Sequence, residues 1–268
     1  YEISLGLVGS EMCIRDRLLS VLPANNLETA GNDYYMENDA AVSADLKGIE
    51  LINSVADKES VIELYKQFGT SAVTAIGSLN WRTAGFVATN NGAKLTADDS
   101  AKIARFVTLC DAYSIPVVTF VDSEGFEKSS AAELAGSIRD SAKLAQAYAS
   151  ATTAKIAVVT GKAYGSAYVA LASTAAGSDF TFAWEGAVIA PTTPEAAVVF
   201  LNGVSEDNAK QAQEYADNEA DAFTAAANGY VDRVITAEDT KSALTSAIEA
   251  TSSKRVVTPA KKHVNFVY

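Results

Sequence analysis

Apolar positions along the chain change period repeatedly, and the changes mark out alternating strands and helices. Ile115-Pro-Val-Val-Thr-Phe-Val121 is a short continuous run rich in β-branched residues, which predicts a strand buried on both faces. Lys155–Thr160 and Phe180–Trp184 predict two more, and Val231–Ile235 a short fourth. Ala72–Ile76 and Gly85–Ala88 predict strands joined by a turn near Leu79-Asn80-Trp81-Arg82. Helical spacing covers Glu59–Phe68 and Ala97–Ala112, the latter with Thr96 as N-cap. Ser129 or Ser130 caps a long helix through Ala131–Ala149, and an alanine-rich helix runs from about Ser166 to Ser173. Pro194–Phe200, Glu206–Ala216, Asp221–Ala227 and Glu238–Glu249 complete the helices. Strands and helices alternating at this spacing predict an α/β fold: a parallel sheet with covering helices.

The first 48 residues do not share this pattern. Residues 18–48 are polar and broken by Pro23, Asn25, Asn26, Gly31 and Asn32, so they read as a linker or extended arm before a domain spanning 49–268. Residues 1–17 fit no signal-peptide design, because Glu11, Arg15 and Asp16 follow the apolar part directly. The string VGSEMCIRDR resembles a translated sequencing-adapter read, and the expectation is a non-native leader on a chain cut upstream of Leu18.

Composition narrows the function. The 268 residues are 49 % hydrophobic, enough for a sizeable core, and carry a formal net charge of −12. Such acidity disfavours nucleic acid and anionic membrane as partners. No apolar run reaches the ~18–20 residues of a membrane-spanning helix, so no direct membrane insertion is expected. Lys254, Arg255, Lys261 and Lys262 make a basic tail, read either as a solvated terminus or as a contact with an anionic ligand or neighbouring subunit. Cys13 and Cys110 cannot form a disulfide framework or a CxxC metal pair, and a cytoplasmic setting is expected.

Familiar catalytic constellations are missing. The single histidine, His263, sits in the tail, so neither a histidine base nor a metal site is expected. There is no GxSxG elbow and no GxGxxG, and Gly161-Lys162 lacks the remainder of a P-loop. Two turns remain, each after a buried strand: Asp122–Phe126 and Lys162–Tyr168, the second opening a helix. In parallel sheets ligands bind beyond the carboxyl ends of strands, where a helix N-terminus offers unpaired N–H groups. Two such turns can aim N–H donors at one oxygen, with Gly125, Gly165, Ser166 and Ala167 letting a carbonyl approach. The bland alternative is that Gly161 and Gly165 serve only the turn and helix packing.

Leu18–Tyr268 resembles the C-terminal half of biotin-dependent acyl-CoA carboxyltransferases, the family of the propionyl-CoA carboxylase β chain, the transcarboxylase large subunit and the methylmalonyl-CoA decarboxylase α chain. The resemblance rests on LLSVLPANN (18–26), SAKIARFVTLCDAYSIPVVTFVDSEGF (100–126), IRDSAKLAQAYASAT (138–152), KIAVVTGKAYGSAY (155–168), DFTFAWEGAVIA (179–190) and KKHVN (261–265), in family order and spacing. It implies a crotonase-like (ClpP/crotonase) spiral of ββα units and a biotin-side half whose acyl-CoA-side partner half is elsewhere. It implies carboxybiotin on a biotin carboxyl carrier protein and an acyl-CoA as reactants, no metal, and a homo-oligomer, a dimer or trimer of dimers in the family. By carry-over, the N–H groups of Ser166 and Ala167 bind the biotin oxygen and Gly125 and Phe126 line the facing wall. Gly165, Tyr164, Tyr168 and Lys162 are expected to shape the biotin pocket, with ordinary packing the open alternative for Tyr164 and Tyr168. Glu124 departs from the family's Asp-x-Pro-Gly-Phe, and a carboxylate there is unhelpful beside a developing oxyanion. Two further readings stay open: a non-catalytic assembly subunit, and a crotonase-type hydratase or isomerase, although no paired carboxylates mark these turns.

Overall fold

A computed structural model describes residues 16, 18–25, 28, 36, 38–89 and 92–257. Cys13, Lys261, Lys262, His263 and all but residue 16 of the expected leader lie outside the described residues.

Among the described residues, one eight-stranded sheet organises the fold. Its order is β1 (Ile62–Leu64), β2 (Ala72–Leu79), β3 (Arg82–Thr89), β4 (Val117–Ser123), β5 (Lys155–Tyr164), β6 (Phe180–Trp184) and β8 (Arg233–Ile235). The short β7 (Val188–Ala190) pairs with the end of β5. β1–β3 are antiparallel and every other pairing is parallel. The β2–β3 turn is Asn80-Trp81, both at positive φ, the two-residue geometry that matches strand twist. The buried Asp57 carboxylate accepts from both of their N–H groups at 3.2 Å and from the Ser78 hydroxyl at 2.8 Å.

Helices cover both faces, which is why the central strands read as unbroken apolar runs. Along β4 and β5, Val117, Val121, Ala157 and Val159 point into one core. They meet Ile103, Phe106 and Val107 of α2 (Ala97–Ala112), Leu144 and Tyr148 of α4 (Ser137–Ser150), and Leu171 of α5 (Gly165–Ala172). The alternate residues Val118, Phe120, Ile156 and Val158 meet Leu51, Ile52 and Val55 of α1 (Gly48–Val55), and Leu244 and Ile248 of α9 (Thr240–Ala250). Cys110 is plain core, and burial pushes its thiol pKa up.

Three expectations need correction. Glu59–Phe68 is not helical: Ile62–Leu64 pairs with β2, and Tyr65 and Phe68 are exposed, so no helical face has anything to bury. The long helix after Ser129 is two, α3 (Ser130–Leu134) and α4, because Gly136 turns left-handed at φ 96° and Leu134 and Ile138 find no core. The break after Thr160 is not a turn, since β5 continues to Tyr164. Elsewhere α2 begins on the expected Thr96, whose hydroxyl and the Asp99 carboxylate cap each other's backbone N–H groups. Part of the arm is docked: Val21 and Val42 are buried, and the Val21 carbonyl accepts the Thr83 hydroxyl at 2.9 Å. Further helices are α6 (Pro194–Asn202), α7 (Asn208–Asn218) and α8 (Ala222–Ala227).

Candidate active site

β4 and β5 run side by side and parallel, so their carboxyl ends bring the two predicted segments together. The register runs evenly from Val117↔Lys155 to Val121↔Val159, then jumps to Ser123↔Ala163. One residue, Asp122, therefore opposes three, Thr160-Gly161-Lys162, and β5 bulges. The Asp122 side chain fills the gap. Its Oδ1 accepts the Lys162 N–H at 2.9 Å, and its Oδ2 binds the Lys47 ammonium at 2.7 Å. A Cβ on Gly161 would lie 2.5 Å from Oδ1 and 2.7 Å from Cγ, so the carboxylate sits where no side chain fits.

Past the bulge, Tyr164 leads into α5 through Gly165, at φ +59° and with Pro191 O 3.1 Å from where its Cβ would be. No side chain caps α5 among the described residues. The N–H groups of its first turn, Ser166 and Ala167 among them, lie too early in the helix for i−4 partners. Ser166 is exposed and Ala167 fully buried, so the site opens at Ser166.

The facing wall comes from β4's extension. Gly92 N–H donates to Asp122 O at 3.0 Å, Leu95 N–H to Gly125 O at 2.9 Å and Glu127 N–H to Leu95 O at 2.9 Å. Residues 92 and 95 thus pair with Ser123 and Phe126 as a strand would. Successive N–H groups in such a segment alternate sides. The Phe126 N–H therefore points away from Leu95, to the side on which Ser123 meets Ala163 of β5. Gly125 is at φ +108°, and among the described residues other than its chain neighbours only Tyr164 O lies within 4 Å of its Cβ position, at 3.7 Å, so the two walls are in contact there. The Gly125 N–H itself is held by the Ser123 hydroxyl at 3.2 Å, which leaves Gly125 a spacing role.

The charged and aromatic candidates divide. Lys162 binds Glu124 at 2.7 Å, and that bond holds the ammonium pKa above its usual value. The same contact turns the Glu124 charge toward a cation. Tyr164 packs with Ala190 and Ala220, and burial raises its hydroxyl pKa against the pull of Lys162. Tyr168 donates to Tyr230 O at 2.8 Å, and burial, with Asp232 and Tyr230 nearby, pushes it up to about 12. Its ring packs on the core below α5, so its hydroxyl anchors the α8–β8 connection. No trio of His, Cys, Asp and Glu among the described residues is arranged to hold a metal.

Sequence reasoning missed Lys47, which lies in the polar arm and carries no local signal of its role. It also missed β7. Asp122 had a signal: a glycine, Gly161, inside an apolar strand run marks a close approach by other atoms. A cavity of about 410 Å³ lies at the opposite end of the strands against Arg82, Pro116, Thr153 and Lys254. Of the cations that line it, Lys254 is committed to Asp179 at 2.8 Å and Thr153 O at 3.1 Å. Among the described residues no helix N-terminus lines it, and the chemistry favours the carboxyl end. No helix among the described residues is long and apolar enough to cross a membrane.

An uncapped helix N-terminus beside a glycine turn, at the carboxyl end of a largely parallel sheet, is an arrangement that can offer backbone donors to a carbonyl oxygen. Residues 20–266 match the carboxyl transferase domain, and the chain belongs to that family. It is 35 % identical to the propionyl-CoA carboxylase beta chain of Cereibacter sphaeroides, over 93 % of this chain and 52 % of that one. It is also 35 % identical to the methylmalonyl-CoA carboxyltransferase 12S subunit of Propionibacterium freudenreichii subsp. shermanii, over 94 % and 52 %. A crystal structure of transcarboxylase 12S, a hexamer assembly with methylmalonyl-CoA and methylmalonic acid bound, superposes with a TM-score of 0.86. Identity there is 34 %, covering 96 % of this chain and 53 % of that one. The chain spans about half the length of the curated relatives it matches.

Proposed function

We propose that this chain is the biotin-side half of a carboxyltransferase in a biotin-dependent acyl-CoA carboxylase or decarboxylase, built on a crotonase-like domain. The observation that carries it is the contact between the two turns, where Tyr164 O, one residue before the uncapped α5, lies 3.7 Å from the Cβ position of Gly125. Carboxybiotin on a carrier protein would supply the carboxyl group and the ring nitrogen that takes the α-proton of an acyl-CoA. The chain's own part is to hold the ureido oxygen with the N–H groups of Phe126, Ser166 and Ala167 as negative charge gathers on it. Fixed donors of this kind need not reorganise when charge develops, and one is worth about 3–4 kcal/mol of barrier. Gly125 and Gly165 keep side chains out of the path of the ring. A histidine or cysteine base is not needed.

The acyl-CoA side is assigned to a partner half. Supporting this, Val199, Phe200, Leu201 and Val204 at the end of α6 are exposed, as is Phe223 on α8. The strand and loop that lead into α6, Val188–Pro191, lie against Tyr164 and Gly165. A homo-oligomer in the cytoplasm, with a carrier protein as visiting partner, fits this arrangement. Glu124 gives the non-catalytic reading no support, because its charge is paired with Lys162. The test is carboxyl transfer from carboxybiotin, or free biotin, to a panel of acyl-CoAs. Activity is expected with an added acyl-CoA-side half and none from the isolated chain. No transfer to any acyl-CoA with the added half would sink the proposal.

A further inference from the structure

We infer that Asp122, clamped by Lys47, is the positioning residue that sets the β5 bulge and so fixes the α5 N-terminus against the Phe126 turn. The inference rests on the function proposed above. Asp122 sits at the one place where the β4–β5 register jumps, and it is committed at every polar atom. Its N–H donates to Thr89 Oγ1 at 2.7 Å and its carbonyl accepts from Gly92 at 3.0 Å. Its carboxylate spans Lys162 N–H and Lys47 Nζ, at 2.9 and 2.7 Å. One residue therefore touches both walls. Its backbone holds the 92–95 pairing that orients Phe126, while its carboxylate holds the strand that ends at Tyr164 and opens α5.

Charge is what makes the clamp firm. A carboxylate accepting an N–H and an ammonium makes bonds about twice as strong as neutral ones. The Asp122 side chain is 7 % exposed and the Lys47 side chain 31 %, so the pair is only partly screened by solvent. Gly161 leaves the carboxylate the space it occupies, and any side chain there would evict it. Lys47 reaches in from the residue immediately before α1, so the docked arm contributes to the site's geometry. Donors that must converge on one oxygen tolerate only about 0.5 Å of error, and a shift near 1 Å can cost about 100-fold in rate.

The test compares Asp122→Ala, Asp122→Asn and Lys47→Met in the full chain, with two readouts. Amide hydrogen exchange of the chain alone reports the bulge whatever the reaction. In Asp122→Ala, protection of Ala163, Tyr164 and Val188–Ala190 is expected to fall roughly 10- to 100-fold, with the β2–β3 amides unchanged. Asp122→Asn, which keeps an oxygen for the Lys162 N–H, is expected to recover part of that protection. Carboxyl transfer with an added acyl-CoA-side half is expected to lose about 10- to 100-fold in kcat in Asp122→Ala and Lys47→Met, with KM for acyl-CoA within about twofold. Unchanged exchange in Asp122→Ala overturns the inference even if no transfer is found. Altered exchange with an unchanged kcat overturns it too, while leaving the proposed function standing. A wild-type chain that transfers nothing with the added half counts against the proposed function alone, and exchange still decides the clamp.

Discussion

Gly161→Ala puts the geometry of the bulge to a quantitative test. The glycine does not adopt the left-handed region, so its backbone would accept alanine. What forbids it is the Asp122 carboxylate, 2.5 Å from the new methyl carbon at Oδ1 and 2.7 Å at Cγ. An ordinary contact needs roughly 3.5 Å, so the carboxylate must retreat by about 1 Å. It cannot do so and keep bonds of 2.9 Å to Lys162 N–H and 2.7 Å to Lys47. Hydrogen bonds to charged groups contribute about 1.5–3 kcal/mol each. Partial exposure of Lys47 discounts its share, and the net cost should be about 3 kcal/mol. For a chain of this size that lowers Tm by about 6–12 °C. Urea denaturation of wild type, Gly161→Ala, Asp122→Ala and the double variant closes a thermodynamic cycle. In the Asp122→Ala background the methyl group has nothing to displace, so the alanine should cost less than about 0.5 kcal/mol, a coupling of about 2–3 kcal/mol. An equal cost in both backgrounds, or none in either, would refute the reasoning.

Two other perturbations test contacts elsewhere in the fold. Asp57→Ala removes the carboxylate that accepts from the Asn80 and Trp81 N–H groups and the Ser78 hydroxyl, and urea denaturation should show a loss of about 2–4 kcal/mol. Tyr168, near 12 in the fold against about 10 when unfolded, keeps a proton that the unfolded chain releases as pH rises. Its contribution is complete below pH ~10 and is lost as pH climbs through about 12. Tyr168→Phe should therefore be less stable than wild type at pH 8 by about 0.5–1.5 kcal/mol, the value of its bond to Tyr230 O. The gap should narrow steadily in denaturation curves taken from pH 10 to 11.5; a gap that widens there contradicts the assignment.

The sequence carried the central sheet because apolar β-branched runs such as Val117–Val121 have few other uses, and it carried α2 because Thr96 and Asp99 form a capping box. The hairpin was legible in Leu79-Asn80-Trp81-Arg82, although the buried carboxylate that holds its turn comes from Asp57, distant in sequence. Local pattern failed where pairing is long-range. β1 exists because β2 offers an edge, not because Ile62–Leu64 prefers to be extended. Similarly, β7 is three residues long and owes its place to the protruding end of β5. At the site, both segments were found by motif, and their adjacency followed from parallel neighbours. The bulge that sets their spacing was not legible, because it depends on Asp122 and Lys47, 75 residues apart, meeting at one point. Nor could the sequence alone say that Glu124, the departure from the family pattern, faces Lys162.

The central claim is that a backbone N–H, not a side chain, does the chemistry at Ser166. Ser166→Pro removes that N–H in the first turn of α5, where proline is tolerated, and Ser166→Ala removes only the hydroxyl. Carboxyl transfer with an added acyl-CoA-side half, measured for both variants beside wild type, should fall about 100- to 1,000-fold in kcat for Ser166→Pro. For Ser166→Ala it should stay within about twofold of wild type. A folded Ser166→Pro with wild-type kcat, or a Ser166→Ala as damaged as the proline variant, would contradict the account.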